Sequence, residues 1–313
     1  MNIAVLDLGT NTFNLLIAQW QNMTLQTIEN NKIAVKIGKG GIHKNQITED
    51  AAERALNAIK LHKTTIDKYS VEKIIAIATS AFRTAKNASE IIDKINKQTG
   101  IDIEVISGER EAELIYLGVR QTLDIKDDNF LIVDIGGGSN ELIIANSHKI
   151  IWKESYPLGM ARLIERFQFS DPIKNSEIDQ LNSYFDETMQ SFSKILKKLE
   201  VKHLAGAEGA FESFINITKA NNLGTLPSNN YTNKAITIDV SQFYQVQQLL
   251  QKSTLSERLS LPGLEPFRAE MIVPAGIFIN YIVEKTKSQA ISISPFSLKE
   301  GVAWDFFNNL NSI

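Results

Sequence analysis

The hydrophobic pattern of the chain contains one motif twice. Ile3–Ala18 (IAVLDLGTNTFNLLIA) and Phe130–Ala145 (FLIVDIGGGSNELIIA) superimpose without a gap, so that Asp7 falls on Asp134, Gly9 on Gly136 and Leu15 on Leu142. Each copy is an apolar run, an aspartate, a glycine-containing turn and a second apolar run, which predicts strand, tight turn and returning strand. Two copies imply a duplicated architecture of two facing lobes. Between them, Thr48 predicts an N-cap for a helix in which Ala52, Ala55, Leu56, Ile59 and Ile66 recur at helical spacing. Lys73–Phe82 reads as a buried strand, the next helix starts at about Ser89 and closes at Gly100, and Ile101–Ser107 reads as a strand. A further helix runs from Glu109 to about Gln121. Strands alternating with helices predict layered α/β structure with parallel strands.

Downstream, Leu158–Phe167 and Ser176–Leu199 read as helices, and His203–Ala207 and Ala290–Ser294 as strands. Asn221–Asn233, rich in Asn, Thr and Ser, predicts an exposed loop. The polar patch Asp124–Asn129 predicts the lobe boundary, giving lobes 1–124 and 125–313. The longest apolar stretch, Met271–Val283, is interrupted by Pro274 and Asn280 and falls short of the ~20 residues that span a bilayer. It predicts a buried core helix.

Composition narrows the function. The 313 residues are 43% hydrophobic and 22% charged, enough for a sizeable core, and the net charge of −3 comes without a basic stripe. That argues against DNA or a membrane surface as partner. With no cysteine, disulfides, thiolate nucleophiles and Cys-ligated metals are excluded. His43, His62, His148 and His203 are scattered without metal-ligand spacing and are expected on surfaces or helix faces. The N-terminus opens directly into the apolar run Ile3–Leu6 without a leader pattern, so a cytoplasmic location is expected.

The chemistry concentrates in DIGGGSNE, Asp134–Glu141. Gly136, Gly137 and Gly138 let backbone N–H groups approach an anion closely because no Cβ stands in the way, and Ser139 adds a hydroxyl. Asp134 before the turn and Glu141 after it set a carboxylate on each side of this cradle, as Mg²⁺ bridging to phosphate oxygens requires. The G-x-S-x-G elbow of serine hydrolases fails, since Glu141 takes its last position. Arg83, after the predicted strand of Lys73–Phe82, suits phosphate through its bidentate fork. Ser107–Gly118 places three glutamates, Glu109, Glu111 and Glu113, at a helix start, where negative charge is favourable. One of them beside a phosphate cradle would orient and deprotonate an attacking water.

Taken in order, DLGTNTFNLLIA, VKIGKGG, ATSAFRTAKN, ISGEREAELIYLGV, DIGGGSNEL, PLGMARL, LPGLEPFRAEMIVPA and SLKEG resemble the exopolyphosphatase/guanosine pentaphosphate phosphatase (Ppx/GppA) family over nearly the whole chain. The resemblance is to its short, two-domain form. It implies two duplicated ribonuclease H-like lobes of the actin and sugar kinase type around an interlobe cleft. It implies Mg²⁺-dependent release of terminal phosphate from inorganic polyphosphate or guanosine pentaphosphate, with a homodimer allowed. By the resemblance Glu111 is the catalytic base and Arg83 contacts phosphate. Gly136, Gly137, Gly138 and Ser139, with Asn11 and Thr12 of the opposing turn, line the phosphate site. Asp134, Glu141 and Asp7 serve the metal. A small-molecule kinase of the same superfamily and a non-catalytic polyphosphate or alarmone sensor are the alternatives.

Four positions depart from the family pattern. Arg110 replaces the first of two adjacent glutamates, and Lys36 and Lys299 stand where relatives often carry Arg. Glu208 lies in the second-lobe glycine turn AGAEGAFES. A carboxylate there either repels a chain of phosphates, favouring short substrates, or turns outward to cap the helix that begins near Gly209.

Overall fold

The computed structural model describes residues 1–21, 24–124, 128–224, 226 and 233–310. The first sheet is built from β1 (Asn2–Leu8), β2 (Thr12–Gln21) and β3 (Thr24–Ala34), followed by α1 (Glu49–Ile66), β4 (Val71–Ala78), α2 (Ser80–Thr84), α3 (Ala88–Thr99), β5 (Ile103–Val105) and α4 (Gly108–Val119). The second sheet begins with β6 (Phe130–Ile135), β7 (Asn140–Ala145) and β8 (Ile150–Tyr156). There follow α5 (Met160–Phe167), α6 (Asn175–Thr188), α7 (Gln190–Leu196), β9 (His203–Ala207), α8 (Gly209–Ala220), β10 (Ile236–Asp239), α9 (Val240–Lys252) and α10 (Leu255–Leu259). The chain closes with α11 (Ile272–Thr286), β11 (Ala290–Ser294) and α12 (Leu298–Leu310).

The sheet orders are β3-β2-β1-β4-β5 and β8-β7-β6-β9-β11-β10. Apart from the added edge strand β10 they are the same order. In both, the first strand runs antiparallel to the second and parallel to the fourth. The duplication extends to register. Asp7 pairs across the ladder with Asn14, and Asp134 with Glu141. Each turn is closed by one matching backbone bond, Gly9 N–H to Thr12 O at 3.1 Å and Gly136 N–H to Ser139 O at 3.0 Å. The fold is α/β with two mixed sheets of this duplicated type.

Side chains alternate along β1: Ile3 and Val5 face one layer, Ala4, Leu6 and Leu8 the other. Both layers are packed, which is why the strand is apolar throughout. The middle layer holds α4 and α12 between the two sheets. The helices are exchanged: α4 follows the first sheet in sequence but packs on β7 and β8, whereas α12 follows the second and packs on β1 and β2. Gly118 and Gly301 let the two helices touch, for a Cβ at Gly301 would lie 1.8 Å from Leu114 O.

Several expected elements differ. The strand read as Lys73–Phe82 stops at Ala78, and Ser80–Thr84 forms the short helix α2, whose Ala81 and Phe82 are apolar because they are buried. Ile101–Ser107 shrinks to the three residues of β5. The single helix expected over Ser176–Leu199 breaks at Met189 (φ −103°, ψ 34°) into α6 and α7. Met271–Val283 lies within the buried helix α11 and the turn before it. Much of the expected loop Asn221–Asn233, and the centre of the patch Asp124–Asn129, lie outside the described residues. Among the described residues no helix is long and apolar enough to cross a membrane.

Candidate active site

The two duplicated turns face each other across one cleft. Their approach is close: a Cβ at Gly137 would lie 2.2 Å from Asn11 Nδ2, and one at Gly138 would lie 2.6 Å from both Ser80 Oγ and Thr10 Oγ1. Glycine is therefore required here by contact between lobes, in addition to any anion. Asp7, Asn11, Thr12, Glu111, Asp134 and Gly136–Ser139 all line this cleft. Arg83 and Glu141 are not part of that lining, though Arg83 reaches Glu111 and Ser139, which are, and Glu141 pairs across the ladder with Asp134.

Glu111 lies in the first turn of α4, whose N-cap Ser107 accepts a hydrogen bond from Arg110 N–H at 3.1 Å. Arg83, on α2 just past the end of β4, donates through Nη1 to Glu111 Oε2 at 2.8 Å and to Ile106 O at 3.0 Å. Its Nη2 reaches Ser139 Oγ at 3.4 Å. One guanidinium thus joins the carboxylate of the first lobe to the serine of the second-lobe turn. Of the other glutamates, Glu113 pairs with Lys153 and Arg110, and Glu109 is exposed. Arg110 itself turns away to Asp305 of α12 and to Glu113. It ties helices together and is absent from the cleft lining.

Glu141 accepts from Ser155 Oγ at 2.6 Å through Oε1, whereas its Oε2 is buried with no hydrogen-bond partner among the described residues. Asp134 accepts from Ser297 Oγ at 3.4 Å, and Asp7 from Asn14 Nδ2 at 2.9 Å. Removal from water raises all four acidic groups. Burial and the neighbouring Glu141 charge push Glu111 well up, against the pull of Arg83. Burial likewise lifts Asp134, with Glu141 and Asp7 adding to it, and lifts Glu141. Asp7 is pushed up to about 6 by burial, opposed by Asn14 and Lys299 and reinforced by Glu208 and Glu300.

Such a donor set fits a hard divalent cation: oxygens only, crowded, with an orphaned buried oxygen on Glu141. Among the described residues no three acidic or histidine side chains are placed to enclose a metal unaided. The protein would accordingly supply one or two carboxylates and leave the remaining positions to water and phosphate oxygens, the habit of Mg²⁺.

The carboxylates imply a pH effect on the metal-free protein. A raised folded-state pKa means that the folded chain keeps a proton the unfolded chain has lost. Stability is thus greatest below the unfolded value of about 4 and falls as pH rises towards the folded value, about 6 for Asp7. We expect the melting temperature of metal-free protein to drop across that interval, Asp7→Asn to flatten the drop, and divalent metal at neutral pH to reverse it. Melting curves that overlay with and without metal would contradict this.

Sequence reasoning missed other cleft-lining groups: Thr10, Ser80, Lys32, Phe267, Arg268, Met271 and Ser297. Arg268 and Met271 sit inside LPGLEPFRAEMIVPA, and Ser297 directly precedes SLKEG's first buried helix residue, so those motifs carried the signal. Lys32 is one lysine in a polar strand and carries none. Of the two courses open to Glu208, capping is not the one taken. The residue stands at the N-cap of α8 without a side-chain capping bond, lines the cleft, and is ion-paired to Lys299 at 2.5 Å.

A model of the Ppx/GppA phosphatase family matches residues 16–310. Exopolyphosphatase 1 of Mycobacterium tuberculosis is 25% identical over 304 residues, covering 96% of this chain and 87% of that protein. The bifunctional 3-dehydroquinate synthase/phosphatase of Fusobacterium nucleatum is 30% identical over 306 residues, 93% of this chain, but the match spans only 44% of that longer protein. Among solved structures, an exopolyphosphatase from Cytophaga hutchinsonii superimposes with a TM-score of 0.93 at 37% identity, covering 99% of this chain and 98% of that one. A Ppx/GppA family member from Aquifex aeolicus gives 0.81 at 26% identity, covering 99% of both.

Proposed function

The chain belongs to the Ppx/GppA phosphatase family and is a hydrolase of phosphoanhydride bonds, and from that premise we propose that it releases terminal phosphate from inorganic polyphosphate or guanosine pentaphosphate in the cytoplasm, using Mg²⁺. The observation that carries this reading is the link Glu111–Arg83–Ser139, which sets a buried, activated carboxylate against the glycine turn.

Glu111 takes a proton from water, whose oxygen bonds to the terminal phosphorus in line as the bond to the bridging oxygen breaks. The electron pair leaves with the shortened chain. Arg83 holds Glu111 in place and carries positive charge to the phosphoryl group, while the backbone N–H groups of Gly137, Gly138 and Ser139 cradle its oxygens, that of Gly136 being spent on closing the turn. Asn11 and Thr12 face them from the other lobe. Asp134 and Asp7, which line the cleft, would supply the carboxylates for Mg²⁺ or its waters, with Glu141 beside Asp134 on the ladder, and the ion when bound neutralises charge on the transferring group.

Phosphate release from tripolyphosphate, long-chain polyphosphate and guanosine pentaphosphate, measured side by side with and without Mg²⁺, tests the reading. Metal-dependent release from at least one is expected. No release from any, with the protein folded, would retire it.

A further inference from the structure

Three cations line the cleft among the described residues, Lys32, Arg268 and Lys299, and each is ion-paired with a carboxylate of the same chain, Lys32 and Arg268 sharing one. Lys32 Nζ lies 3.1 Å from Glu265 Oε2, and Arg268 Nε lies 2.9 Å from the same oxygen. Lys299 differs in depth. Its side chain is 2% exposed, against 30% for Lys32 and 17% for Arg268. Although burial works against its charge, Glu208 and Glu300 hold the ammonium above its usual range.

The two partners of Lys299 are not equivalent. Glu300, 3.2 Å away through Oε1, also accepts from Ser297 N–H at 2.9 Å and so fastens the start of α12. Glu208 approaches to 2.5 Å, is 28% exposed and faces the cleft. Its backbone has φ +33°, a region that side-chain-bearing residues rarely adopt. With two carboxylates on one ammonium, this corner carries net negative charge. A buried cation in a polyanion cleft is therefore covered by the more exposed of its two acidic partners.

Resting on the phosphohydrolase reading above, we propose that Glu208 sets substrate length: its carboxylate occupies the place on Lys299 that a phosphate beyond the reacting one would take. A carboxylate and a phosphate oxygen offer lysine the same charge-assisted bond. A phosphate that takes Lys299 must displace Glu208 and then lie beside it, whereas a substrate held through the glycine turn alone does not. The cleft thus discriminates by occupation of its deepest cation, in place of the bare repulsion that sequence alone suggests.

The test compares KM for long-chain polyphosphate with KM for tripolyphosphate. Glu208→Gln, which keeps the shape and removes the charge, lowers that ratio about tenfold. Glu208→Asp retains the wild-type ratio, and Lys299→Met added to Glu208→Gln cancels the gain. An unchanged ratio in Glu208→Gln overturns the proposal and leaves the pair a structural contact. Calorimetric binding of both polyphosphates to metal-free protein repeats the comparison without turnover. If wild type released no phosphate at all, the hydrolase reading would fail, while the binding ratio would still decide the role of Glu208.

Discussion

Glu111→Gln is expected to lower turnover about 10²–10⁴-fold, the usual effect of removing a general base, with folding and substrate binding near normal. Glutamine keeps the shape and an oxygen for Arg83, whose Nη1 also retains Ile106 O at 3.0 Å. The neighbouring glutamates are the controls. Glu113 is committed to Lys153 and Arg110, and Glu109 is exposed, so neither faces the glycine turn. Changing either to Gln should leave turnover within a few-fold of wild type. The assignment fails if Glu109→Gln or Glu113→Gln proves as damaging as Glu111→Gln, or if Glu111→Gln turns over at the wild-type rate.

Gly301→Ala should destabilise the protein by about 1–3 kcal/mol, the range for overpacking a close contact. Alanine favours a helix over glycine by about 1 kcal/mol, but the new Cβ would meet Leu114 O at 1.8 Å, far inside van der Waals contact. The clash falls on backbone, which has no rotamer to move. Because α4 carries Glu111 and lies against α12 in the layer between the sheets, displacing α12 also shifts the base, so activity falls with stability. Asn309→Ala, on the exposed end of α12, serves as control. Denaturant midpoints check the pair. Equal midpoints for Gly301→Ala and wild type would show that the helices separate at little cost.

The sequence was most informative where local pattern and tertiary role coincide. The repeated apolar–Asp–Gly–apolar motif announced both the duplication and the facing turns, and its alignment of Asp7 with Asp134 reappears as the ladder pairs Asp7–Asn14 and Asp134–Glu141. Edge strands were less legible. β3 is largely exposed and β10 is four residues long, so neither carries the apolar run that betrays a buried strand. Ser80–Thr84 misled because burial makes a short helix as apolar as a strand. The exchange of α4 and α12 between sheets leaves no trace in local periodicity, since each helix is apolar whichever sheet it covers.

In the site, the glycine turn and its flanking carboxylates could be read from composition and spacing. Glu111 could not be told from Glu109 and Glu113 without the family resemblance, because what separates them is Arg83, 28 positions away in sequence and 2.8 Å away in space. The Glu208–Lys299 pair spans 91 positions and reverses the meaning of both residues. Read singly, Glu208 is a repelling or capping charge and Lys299 a lysine where relatives often carry Arg. Read together, they are an ion pair at the cleft wall.

The central claim is that water, deprotonated by Glu111, attacks the terminal phosphorus. Hydrolysis of tripolyphosphate in water enriched in heavy oxygen tests it most directly, with the released phosphate analysed by mass. One heavy oxygen per phosphate, in the wild type and at a much reduced rate in Glu111→Gln, is the predicted result. Phosphate released without heavy oxygen, or found on an acceptor such as a sugar, would contradict it and point to a transferase.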